Sequence, residues 1–84
     1  MPNFQAKVEV SLRSSVLDPA GEATKSAANK LGITGLRKLR IGKSIDIEIE
    51  ASNEEEAKKQ IEHLSDRLLA NSVIEDWALE LKPL

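Results

Sequence analysis

Four places in this chain carry residue types that can do chemistry, and each has a plainer reading beside it. Asp46, Glu48 and Glu50 alternate along one stretch, and three carboxylates on one side of a strand offer oxygen ligands to a hard cation. No histidine or amide ligand joins them in sequence, and the same alternation is what any strand with a wet face shows. Glu75 and Asp76 are adjacent acids, but neighbouring strand residues point to opposite faces, which argues against a shared acid–base role. His63 is the only histidine. It lies almost opposite Ile61 on a helix, and no serine or cysteine nucleophile motif accompanies it. Gly42 followed by Lys43 lacks the strand, glycine-rich loop and helix that cradle a phosphate. No catalytic, cofactor-binding or metal-ligating set is therefore expected, and the chain's role should lie in its surfaces.

Composition narrows which surfaces those are. Eighty-four residues fit one domain spanning residues 1–84, and a chain this short buries only about 60 to 65% of the surface it exposes when unfolded. Its stability margin is thin, so help from a second surface is plausible. The chain has no cysteine, so neither a disulfide nor a thiolate metal site supplies that help. A net charge of -2 gives no electrostatic footprint for nucleic acid, and with 2% aromatic residues, Phe4 and Trp77, no base-stacking platform can be assembled. The 31% of charged residues, the lack of a long apolar stretch and the character of "MPNFQAKVEV" argue against a membrane span or a secretion signal. A cytoplasmic location is the simplest expectation.

The elements follow from periodicity. Phe4, Ala6, Val8, Val10 and Leu12 alternate with polar residues, which predicts a half-buried strand. Asp18 and Pro19 suit the cap and first position of a helix, whose stripe Ala20, Ala23, Ala27 and Leu31 is small enough to lie close to a sheet, and Gly32 suits its end. Gly21 in the first turn costs up to about 1 kcal/mol relative to alanine, which implies a close neighbour. Ser52 and Glu55 have the spacing of a capping box, and Ala57, Ile61, Leu64 and Leu68 form the apolar face of a second helix over residues 53–70. Trp77, Leu79 and Leu81 are in phase in a last strand. The order β, α, β, possibly β again, α, β predicts an α+β, ferredoxin-like βαββαβ layer, with two helices on one face of an antiparallel sheet.

The extra strand depends on "LRIGKSIDIEIE", residues 39–50, where Leu39, Ile41, Ile45, Ile47 and Ile49 share odd numbers and Lys43 interrupts them. A two-residue turn at Gly42 and Lys43 puts the later isoleucines on the wrong face. A three-residue loop of Gly42, Lys43 and Ser44 keeps the phase and closes a compact monomer; this is the favoured solution. A single long strand also keeps the phase, but it exceeds the usual strand length and has to pass into a second subunit. In either case Lys43 requires a partner.

Three segments, "VLDPAG", "LRIGK" and "LLANSVIEDW", resemble the PurS-type small subunit of phosphoribosylformylglycinamidine synthase, and the likeness runs over nearly the whole chain. Ser72 and Trp77 stand where the family usually has proline and tyrosine. The resemblance implies a non-catalytic homodimer, or a higher oligomer, of ferredoxin-like units. It also implies two partners in de novo purine synthesis: a PurL-type synthetase that uses ATP and magnesium, and a PurQ-type glutaminase that releases ammonia. The assembly converts formylglycinamide ribonucleotide, glutamine and ATP to formylglycinamidine ribonucleotide, glutamate, ADP and phosphate. A small rigid bridge between the two enzymes helps to keep ammonia out of bulk water.

Two stretches are candidate contacts for such partners. Arg37, Lys38, Arg40 and Lys43 form a basic cluster in an acidic chain, suited either to a solvated edge or to an acidic partner. In "NSVIEDW", Ile74 is out of phase with Trp77, so Ile74, Glu75, Asp76 and Trp77 join Arg40 and Lys43 as the candidate interface. The alternative reading is a small-molecule-sensing regulatory domain of the same architecture, in which paired subunits hold a metabolite.

Overall fold

The computed structural model describes residues 1–84, as β1 (Asn3–Leu12), α1 (Pro19–Lys30), β2 (Lys43–Glu50), α2 (Glu54–Leu64), a π turn (Ser65–Leu69) and β3 (Glu75–Pro83). The first strand is central: β2 and β3 flank it, both antiparallel. Its alternation puts Phe4, Ala6, Val8 and Val10 in the core. Val8 lies between Ile45 and Leu79, and Ala6 between Ile47 and Leu81. Matching parity in three strands therefore makes one face of the sheet continuously apolar. The other face carries polar residues such as Lys7, whose 3.9 Å contact with Asp46 is exposed and contributes about 0 to 1 kcal/mol.

One helix packs on the β1 and β3 part of that apolar face. Asn53, rather than Ser52, caps α2 by accepting the Glu56 amide at 2.8 Å, and Glu54, Glu55 and Glu56 occupy the first turn, where the helix dipole favours acids. Ala57 and Ile61 are buried as their spacing predicts. The π turn then shifts the register. Ser65, four residues after Ile61, is fully buried, Leu69 packs on the core, and Leu68 is 75% exposed. The Ala70 amide donates to the Ser65 carbonyl at 2.9 Å, five residues back, and the extra residue in that turn rotates Leu68 out of the stripe that plain helical spacing assigns it.

The Ser65 hydroxyl is buried without a hydrogen-bond partner. A desolvated, unpaired hydroxyl costs free energy, so Ser65→Ala is expected to raise stability by about 1 kcal/mol, read as a higher urea midpoint. A lower midpoint would mean that the hydroxyl is paired after all.

The expected hairpin is absent. Residues 33–42 form no strand, Gly42 to Ser44 form no loop between strands, and the sheet has three strands in the order β2-β1-β3. Gly42 instead passes the rim of β1, where a Cβ would come within 2.7 Å of the Val10 carbonyl. The glycine serves close approach, not a turn. Lys43 pairs with Val10 and so shares the apolar face, as its odd number requires, but it is exposed there.

The first helix also departs from expectation. Gly21 is its only buried residue, and the stripe Ala20, Ala23, Ala27 and Leu31 is exposed, Leu31 by 81%. It has no packing on any strand comparable with that of α2 on β1 and β3. It is held by the segment that returns to β2: Lys25 meets Arg37, Gly21 meets Leu39 and Asp18 meets Ile41. Seven helical residues rise about 10 Å and four extended residues about 13 Å, so that segment runs extended and antiparallel along the helix. Helix and return segment together form an arm. The chain accordingly measures 52 × 27 × 14 Å, and its radius of gyration of 16.6 Å exceeds the roughly 12 Å of a compact domain this long. No helix is long and apolar enough to cross a membrane.

Candidate partner interface

The arm and the entry to β3 meet at the end of β1, and Arg13 joins them. Its guanidinium donates to the Ser72 carbonyl at 2.7 Å and lies 3.4 Å from an Asp76 oxygen, while its amide donates to the Ile74 carbonyl at 2.9 Å. Its own carbonyl accepts from Arg40 Nη2 at 3.0 Å, and the same nitrogen donates to the Val16 carbonyl at 2.6 Å. Arg40 is thus engaged within the chain and ties the arm's return segment to its root.

Beside it, buried Asp18 performs two tasks. One carboxylate oxygen accepts the Gly21 amide at 3.0 Å and caps α1; the other accepts the Ile41 amide at 2.7 Å and clasps the return segment. The Ile41 and Gly21 amides hold its carboxyl below the usual range, burial opposes them, and the Arg40 guanidinium assists. Gly21 must be glycine here, because a Cβ would collide with the Leu39 carbonyl and approach Asp18 Oδ2 to 2.6 Å.

The structure brings Ile74, Glu75 and Asp76 together with Arg13. The Glu75 carboxylate accepts the Asn71 amide at 2.7 Å, and Asn71 in turn accepts the Val73 amide at 3.1 Å, which shapes the loop. Ile74 remains 37% exposed beside Val73 at 77%. Trp77 pairs with Val10 and packs half-buried on the core. Lys43 sits at the other flank, on β2. Asp46, Glu48 and Glu50 stay strung along β2, and no three acidic or histidine side chains converge to hold a metal. Sequence reasoning missed Arg13, because its partners lie 27 and 59 to 63 residues away and nothing local marks it.

Comparison with known proteins decides the family. The model of PurS, phosphoribosylformylglycinamidine (FGAM) synthase, matches residues 5–83. The PurS subunit of phosphoribosylformylglycinamidine synthase from Synechocystis sp. is 43% identical over 82 residues, 98% of this chain and 82% of that protein. The chain belongs to the PurS family. The PurS subunit from Methanocaldococcus jannaschii is 35% identical over 94% of this chain and 95% of its own. Among solved structures, Bacillus subtilis PurS superposes with a TM-score of 0.86 at 37% identity, over 94% of this chain and 98% of that one. A chain of the PurLQS structure from Thermotoga maritima does so at 0.85, also at 37% identity, over the whole of both chains.

The two positions where the resemblance implies proline and tyrosine, Ser72 and Trp77, fit their surroundings. Ser72 contributes its carbonyl to Arg13, a bond that proline would also allow, and Trp77 keeps its ring against the core.

Proposed function

We propose that this chain is the structural subunit of a phosphoribosylformylglycinamidine synthase, acting as a homodimer that bridges a PurL-type synthetase and a PurQ-type glutaminase in the cytoplasm. In this reading residues 1–84 work as one unit without catalysis of their own; ATP and magnesium are used by the synthetase, and ammonia passes between the two enzymes that the bridge aligns. The full-length match to a chain of a PurLQS structure carries the proposal. The docking surface is the end of the sheet where Arg40, Ile74, Glu75, Asp76 and Trp77 surround Arg13, with Lys43 on the adjoining flank. Ile74 is its exposed apolar contact, and the bonds of Arg13 and Arg40 hold its shape.

Reconstitution tests this reading. Synthetase and glutaminase are expected to form formylglycinamidine ribonucleotide from glutamine only when this chain is added, whereas free ammonia supplied to the synthetase should reduce the requirement. Full glutamine-dependent activity without the chain would refute the bridge.

A further inference from the structure

The loop between the π turn and β3 holds the parts of a spontaneous reaction. The chain has four asparagines, Asn3, Asn29, Asn53 and Asn71, followed in turn by Phe4, Lys30, Glu54 and Ser72. A bulky following side chain hinders its backbone nitrogen from reaching the asparagine carboxamide, and serine is the smallest of the four. Asn3 and Asn29 also lie within β1 and α1, and Asn53 caps α2, whereas Asn71 and Ser72 are exposed and outside every helix and strand.

Two hydrogen bonds close over Ser72. The Ile74 amide donates to the Asn71 carbonyl at 3.1 Å, which makes Ser72 the second residue of a β-turn, and the Val73 amide donates to Asn71 Oδ1 at 3.1 Å. The second bond closes a ring that contains the Ser72 nitrogen, so it folds the Asn71 side chain toward that atom. It also polarises the carboxamide, because an N–H aimed at Oδ1 stabilises the negative charge that this oxygen gains when its carbon is attacked. The Ser72 N–H itself makes no hydrogen bond within the chain. One turn thus holds a free nucleophile beside an activated carbonyl.

We propose that Asn71 is a modification site, converted without an enzyme to aspartate and isoaspartate. Once solvent base takes the Ser72 amide proton, the nitrogen attacks Asn71 Cγ; the Cγ–Nδ2 bond breaks, the leaving nitrogen takes up a proton, and ammonia departs from a cyclic imide. Water then opens the imide at either carbonyl. Cleavage of the new bond gives aspartate with the main chain unchanged, and cleavage of the original peptide bond gives isoaspartate, whose main chain runs through the former side chain. The net change is a gain of water, a loss of ammonia and one new carboxylate. Aspartate suits the first position of the turn as asparagine does. Isoaspartate does not, because its extra backbone atom displaces the carbonyl that accepts the Ile74 and Glu75 amides and the Ser72 carbonyl that accepts from Arg13, and its charge faces the Glu75 carboxylate. Conversion therefore loosens the sheet end. Its effect on docking rests on the proposed function, whereas the conversion itself does not.

The full chain is incubated at mildly alkaline pH and digested with trypsin, which releases residues 68–84 as a peptide with no other asparagine and no glutamine. Mass spectrometry after chromatography is expected to show Asn71 converting several-fold faster than Asn3, Asn29 and Asn53, with both isomers present. Ser72→Pro, which removes the attacking N–H at a turn position that favours proline, should stop the conversion, and Ser72→Gly should speed it. Circular dichroism checks that each variant folds; should Ser72→Pro not fold, the faster Ser72→Gly and the isomer mixture carry the test. Equal rates at the four asparagines, unchanged conversion in Ser72→Pro or in Ser72→Gly, or aspartate without isoaspartate, the mark of direct hydrolysis, would each overturn the proposal. Aged chain is expected to support less glutamine-dependent activity than fresh chain, while Ser72→Pro keeps its activity on ageing. Equal activity of aged and fresh chain would overturn the effect on docking alone, since reconstitution with fresh chain tests the bridge separately.

Discussion

Replacing Ile61 with alanine is expected to lower the chain's stability by about 3 to 4 kcal/mol. Ile61 is 1% exposed and is the largest fully buried side chain, packed with Ala6, Val8, Val10 and Ala70. The core has little in reserve, because four of the eight buried apolar residues, Ala6, Ala51, Ala57 and Ala70, are alanines that contribute little area. The cavity would sit between α2 and the central strand, where a helix fixed by its Asn53 cap and a sheet fixed by its ladder limit collapse. Against a total of roughly 4 to 13 kcal/mol for a domain of this length, such a loss is at least about a quarter of the whole. Urea denaturation at fixed protein concentration measures it, with Ile61→Val as a reference expected to cost only about 1 kcal/mol. A midpoint for Ile61→Ala within error of that of Ile61→Val would show that the sheet and α2 close over the gap.

The second large effect is expected at Asp18. An asparagine there can still cap α1, but its amide group meets one of the two backbone N–H donors with another donor, so the clasps at Gly21 and Ile41 cannot both survive. In Asp18→Asn the Ile41 amide is expected to exchange its hydrogen about tenfold faster or more, while the amides of β1 keep their protection. Because the carboxyl of Asp18 is held below its usual range in the folded chain, the stability it contributes is fully present above the ordinary carboxylate pKa of about 4. That contribution is lost as pH falls through the lower, folded value. The unaltered chain should therefore show a component of acid destabilisation below about pH 4 that Asp18→Asn lacks. Superimposable pH profiles of the two proteins would show that the clasp does not direct the arm.

These two residues differ in how plainly the sequence marks them. Ile61 lies on a stripe with Ala57 and opposite charged residues, so its burial follows from helical period alone. Asp18 is recognisable as a cap before Pro19, but its second oxygen is committed to Ile41, 23 residues further on. Arg13 carries no local mark, although it ties β1 to the β3 entry and its carbonyl holds the arm. Leu68 misleads, because the π turn at Ser65–Leu69 adds a residue to the register and turns it outward.

By itself the sequence determined where each of the observed strands and the two helices lie, though with a fourth strand that does not form, the apolar face built from odd-numbered isoleucines and even-numbered residues of β1, and the family, through the motifs at residues 16–21, 39–43 and 68–77. These are short-range properties: alternation, helical period and cap chemistry act over a few residues and persist whatever the rest of the chain does. Only the tertiary structure decided that residues 33–42 return along α1 rather than forming a hairpin strand, and that α1 leaves its own sheet half uncovered. Parity could not distinguish those outcomes, because a three-residue loop and an uninterrupted run leave Ile41 and Ile45 on the same face. The choice was made by contacts distant in sequence: Gly42 against the Val10 carbonyl, Asp18 with Ile41, and Arg40 with Arg13.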